Sequence, residues 1–109
     1  MAYYLVHAKA LVDLLPALKK RLDEGEIMQM RPFGQTLQES LMNARVDDKD
    51  VVSWVELDYS EPPLKEEREA VLDEFFTDIK AEKVDKKDDG WHKIDNLPLL
   101  WEKYHPGEF

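Results

Sequence analysis

Residues 51–59, Val-Val-Ser-Trp-Val-Glu-Leu-Asp-Tyr, constrain the fold more than any other stretch of the chain. The run is rich in β-branched and aromatic residues and holds neither Gly nor Pro, which predicts a strand. Side chains alternate across a strand, so Val51, Val55, Leu57 and Tyr59 share one face and Val52, Trp54, Glu56 and Asp58 the other. The all-apolar set is expected to face helices, and the set carrying two carboxylates to face outward. A register change of one residue would exchange the two faces.

The flanking segments supply partners. Residues 2–8 read as a second strand. Leu14, Leu15, Leu18 and Leu22 then recur at helical spacing, with Asp13 as N-cap and Gly25 as the stop. Residues 26–33 predict a strand that exits at Pro32. Thr36 and Glu39 have capping-box spacing and open a short helix ending near Ala44. Pro62 and Pro63 start a longer helix whose stripe is Leu64, Val71, Leu72, Phe75, Phe76 and Ile79. Residues 80–84 predict the last strand, Lys86–Gly90 a hairpin turn, and Trp91–Ile94 a short return strand.

With the short helix treated as an insertion, the order is β-α-β-β-α-β. That is an α+β, ferredoxin-like arrangement: an antiparallel sheet of order 4-1-3-2 with helices on one face. The expected boundaries are one domain over 1–96, then a short helical segment and tail over 97–109. A chain of 109 residues is one domain by size and can bury a core.

The pattern resembles the dimeric α+β-barrel family. The opening strand Tyr3-Tyr4-Leu5-Val6-His7, the Val51–Tyr59 strand and the Pro62–Ile79 helix carry the resemblance, which spans roughly residues 2–94. It implies a homodimer in which two sheets pack face to face. Members of that family include isomerases, small monooxygenases and many proteins of unassigned activity. No catalytic motif of the family transfers to residues here.

Composition excludes several functions. The net charge is −9, and residues 61–109 carry 14 acidic against 8 basic groups. Nucleic-acid binding needs Lys and Arg to neutralise phosphates, and anionic membranes ask the same, so neither partner is expected. There is no Cys, hence no disulfide, thiolate nucleophile or Cys-based metal site. Four Gly supply no phosphate loop or dinucleotide fingerprint, and no Ser sits in a Gly-x-Ser-x-Gly elbow. The N-terminus has no basic, apolar leader and no run reaches the length of a membrane span, which points to a soluble cytoplasmic protein.

One constellation could carry chemistry. If the opening strand neighbours Val51–Tyr59, its outward residues are Tyr3, Leu5 and His7, with Arg31 joining from residues 26–33. His7, Glu56 and Asp58 could then form an acid–base group, while Tyr3, Arg31 and Trp54 hold a small anionic ligand. The stronger reading takes the same residues as solvated or dimer-rim groups, with Trp54 as packing. His92 and His105 read as exposed bystanders. Asp47–Asp50 and Asp85–Gly90 lack calcium-loop spacing and read as polar turns. No cofactor and no metal is expected. The leading expectation is a homodimeric small-ligand-binding or interaction module. The alternatives are a cofactor-free enzyme using His7 with Glu56 or Asp58, and a protein-binding adaptor.

Overall fold

The computed structural model describes residues 2–58 and 60–104; Tyr59 and His105, both considered above, lie outside them. The strands are β1 (Ala2–Ala10), β2 (Arg45–Val46), β3 (Val51–Asp58) and β4 (Phe76–Val84). They form one antiparallel sheet of order β2-β3-β1-β4. The helices are α1 (Leu15–Asp23), α2 (Gly34–Met42), α3 (Lys65–Glu67), α4 (Asp73–Phe75), α5 (Lys87–His92) and α6 (Leu100–Lys103). A π-helical turn, Arg68–Leu72, joins α3 to α4 without a break. The fold is α+β, and no helix among the described residues is long and apolar enough to cross a membrane.

β1 and β3 form where aromatic and β-branched residues are densest, and they pair along their whole length, from Ala2 opposite Asp58 to Lys9 opposite Val51. This register decides the faces. Tyr4, Val6 and Ala8 lie opposite Glu56, Trp54 and Val52 and share the main core with the leucines of α1 and α2 and with Val71, Leu72 and Phe75. Leu5 and Val55 lie on the other face, in a smaller cluster with Val84 and Ile94. The expected assignment is therefore reversed: Trp54, Glu56 and Asp58 point into the larger core. The apolar volume of Trp54 outweighs the two acids beside it, since burying so large a ring removes the most surface from water.

The expectation of helices on one face also needs correcting, because α5 packs on the Leu5–Val55 face. Gly90 makes that approach possible, for a Cβ there would lie 2.6 Å from Val55 Cγ2. The residues read as a hairpin turn, Lys86–Gly90, thus enter a helix, and Trp91–Ile94 is not a strand.

Two further expectations fail. Residues 26–33 form consecutive turns rather than a strand, with Ile27 alone fully buried, and the sheet edge is taken by β2 instead. The helix expected to reach Ile79 ends at Phe75. Phe76 opens β4 opposite Ala10, where its ring packs 5.4 Å from that of Trp54. Residues 97–104 of the C-terminal segment join the same body. Leu100 N–H donates to Ala44 O and Trp101 Nε1 to Leu41 O.

Gly34 opens α2 directly against backbone. A Cβ there would lie 2.4 Å from Ile27 O and 2.8 Å from Met28 O. Backbone cannot swing aside as a side chain can, so Gly34→Ala is expected to cost about 1–3 kcal/mol through overpacking. Urea denaturation checks this, and an unchanged midpoint would refute the tight fit.

Candidate functional site

The acids on the core face of β3 meet one acid of α3. Glu56, Asp58 and Glu67 are 1%, 5% and 0% exposed. Glu67 comes inward because it shares a face with Val71 and Phe75, at successive spacings of four residues. The π turn that follows widens the helix and lets Leu72 share that face; such turns often occur at functional sites.

Asp58 is fully engaged. Its Oδ1 accepts from Ser60 Oγ, and its Oδ2 accepts from the N–H of Leu64, which precedes α3 at a φ of 66°. A buried leucine rarely adopts this left-handed backbone, and the carboxylate holds it there. Glu56 Oε1 accepts from Trp54 Nε1 at 2.8 Å. Three oxygens of the group, Glu56 Oε2 and both of Glu67, are buried with no donor from outside the carboxyl pair.

Glu56 and Glu67 lie within hydrogen-bonding reach of each other. Two carboxylates there would repel, which favours a proton shared between them. Burial, above all, pushes the Glu67 carboxyl up, and the hydrogen bond to Glu56 and the charges of Glu56, Asp58 and Glu66 push the same way. Burial raises Glu56 too, against the hydrogen bonds from Glu67 and Trp54. Glu67 is accordingly the partner that carries the proton. Among the described residues no Lys or Arg pairs with Glu56, Asp58, Glu66 or Glu67.

Glu67 and Asp58 line a cleft of about 210 Å³, together with Pro32, Phe33, Thr36, Leu57, Ser60 and Glu66. The cleft lies where the start of α2 faces the end of β3 and α3. Its volume is below the roughly 300–1,000 Å³ of sites for drug-sized molecules, so only a small occupant fits. The walls are mixed: Phe33 and Leu57 are apolar and half-exposed, while carboxyls and hydroxyls supply the polar lining.

The residues singled out from the sequence do not converge. His7 is half-buried on the opposite face of the sheet from Glu56 and Asp58, with its Nδ1 2.6 Å from Ser53 Oγ. It borders a separate open groove of about 200 Å³ with Lys9, Val51, Asp78 and Lys80. Tyr3 lines a smaller cleft of about 100 Å³ beside Trp91. Arg31 is exposed and does not line the acidic cleft, although its neighbours Pro32 and Phe33 do. Trp54 is fully buried and serves Glu56 as a donor rather than any ligand as a floor. Arg45 Nη1 donates to Leu97 O.

Two other features behave as turns. Asp47 Oδ1 accepts from the N–H groups of Lys49 and Val51, a local bond that competes with any ligand role. Tyr104 Oη donates to Asp50 Oδ1, which pushes the phenol up to about 12. Among the described residues, no group of three His, Asp or Glu side chains is placed to hold a metal ion.

Sequence reasoning missed Glu67, because acids in the N-terminal half of a helix, here Glu66, Glu67 and Glu69, suit the helix dipole and ask for no other role. The available signal was its spacing from Val71 and Phe75, which places it on the inner stripe. No protein-family model, curated protein or solved structure matches the chain.

Proposed function

We propose that the protein is a small-ligand-binding module and that the cleft between Phe33 and Glu67 is its binding site. One observation carries this reading: Glu67 borders the cleft, is fully buried, and has no donor from outside the carboxyl pair on either oxygen. Buried polar groups are nearly always hydrogen-bonded, and a carboxyl left without donors costs stability. A ligand donor arriving through the cleft would satisfy it.

The test is a nuclear magnetic resonance screen of small polar fragments against the folded protein. Shifts gathered at Phe33, Thr36, Ser60 and Glu67 are the expected result. Hits confined to other surfaces, or none at all, would overturn the assignment.

Acid–base catalysis is the second reading, favoured by the coupled Glu56–Glu67 carboxyls. Paired acids with raised affinity for a proton are what a general acid requires at neutral pH. This replaces His7 as general base by Glu67 as general acid.

Two finer points belong to the same proposal. A ferredoxin-like arrangement is supported by the order β2-β3-β1-β4, by antiparallel pairing throughout, and by helices in both long connections. A homodimer is retained on a changed surface. Val52 and Trp54 are covered within one chain, so the proposed self-association uses the His7–Lys9 side of the sheet or the outer edge of β4 instead. Light scattering at two concentrations tests it.

A further inference from the structure

We propose that the acidic cleft binds a small primary ammonium ion, whose entry expels one proton from the Glu56–Glu67 pair. This rests on the reading of the cleft as the ligand site and names the chemical class of its occupant.

The charges around the pair point one way. Asp58 acts on it from β3 and Glu66 from α3, both acidic. From α2 and the residues before it come Pro32, Phe33 and Thr36, none of them charged. On β1 the residue opposite Glu56 is Tyr4. Among the described residues no Lys or Arg supplies a counter-charge to this group. An anionic ligand would be repelled by every charged neighbour, and a cation attracted by each.

The hydrogen-bonding inventory narrows the class. A proton shared between Glu56 and Glu67 satisfies one oxygen of each. Glu56 Oε1 is held by Trp54 and both Asp58 oxygens are taken, which leaves the second Glu67 oxygen open. Once the proton leaves, both oxygens of Glu67, which borders the cleft, lack donors. A primary ammonium has three N–H donors and no acceptor, whereas a quaternary ammonium has no donor. Phe33, half-exposed on the cleft wall, supplies an aromatic ring beside the apolar stem of the cation.

The exchange balances. The ammonium enters with its charge, the carboxyl O–H of the pair ionises, and the proton passes to solvent. No bond to the ligand forms. Because binding releases a proton, affinity rises with pH, by up to about tenfold per pH unit while the amine itself stays protonated.

Calorimetry with benzylamine, in two buffers of different ionisation heat between pH 6 and 8, tests this. Benzyl alcohol and benzoate serve as the neutral and anionic counterparts. The expected result is that benzylamine binds with release of close to one proton and that the other two bind more weakly or not at all. Glu67→Gln is expected to weaken benzylamine about ten- to hundredfold and to lower the proton release. Should that variant fail to fold, Phe33→Leu is expected to lower affinity severalfold while leaving proton release intact. If benzyl alcohol or benzoate binds as tightly as benzylamine, the cation class falls and the cleft survives as a ligand site. If none of the three binds, both readings fall. Benzylamine binding without proton release overturns the exchange.

Discussion

Replacing Trp54 by Phe is expected to cost about 2–4 kcal/mol of stability at pH 8. Trp54 sits opposite Val6, packs on Phe76 and is fully buried. Phe fills only part of that volume, and the residual cavity accounts for about 1 kcal/mol or more. The remainder comes from Glu56. Its bond from Trp54 Nε1 is the one donor it receives besides the proton shared with Glu67. Without it, a buried oxygen loses its partner and ionisation of Glu56 becomes costlier still. That second contribution depends on charge, so it shrinks at pH 5, where the carboxyl can stay protonated. Urea denaturation of both proteins at pH 5 and pH 8 separates the two contributions. A cost that is the same at both values would mean that the indole N–H contributes nothing beyond volume.

The two central strands were legible because their residues leave little choice. Both β1 and β3 are dense in Val, Leu and aromatics, and the alternation of β3 gave the two sets of residues correctly. Which set faces the main core was not legible. Carboxylates at 56 and 58 mark a solvent face by ordinary preference, and no spacing reveals the Trp54, Ser60 and Leu64 donors that meet them in the core. Leu15, Leu18 and Leu22 showed the first helix, yet Asp13 does not cap it; Leu14 precedes it with no side-chain bond. The segment after Gly25 misled because Ile27, Met28 and Met30 look strand-forming one by one, while only Ile27 is buried. Phe76 and Ile79 fit a helical stripe as well as they fit β4. The unpaired edge of β1 decided between them, since a strand there satisfies backbone groups that a longer helix would leave exposed. The candidate site was illegible for a related reason: it is made by pairing residues of β3 with a residue of α3, and no spacing in the sequence specifies that contact.

The carboxyl pair makes a second strong prediction, that Glu67→Gln stabilises the protein at pH 8 by about 1–4 kcal/mol and does little at pH 4. Both acids hold their protons more tightly in the folded chain than at the ordinary value of 4.5. Below that value they are protonated folded or unfolded, and their burial adds its full stability. As pH rises past it, the unfolded chain ionises while the native pair resists. The unfolded state then binds fewer protons than the native one, so stability falls with rising pH. Gln removes one of the two titrations, keeps the shape, and can donate its amide N–H to Glu56 Oε2. The difference between variant and wild type, measured by thermal melts from pH 4 to 9, isolates this contribution from the other carboxylates of a chain of net charge −9. Parallel pH profiles, or a variant less stable at pH 8, would falsify the shared-proton description. A gain carries a further consequence. A chain that becomes more stable on losing Glu67 does not hold that carboxyl for folding, and the cleft it borders is then the place to look for what it binds.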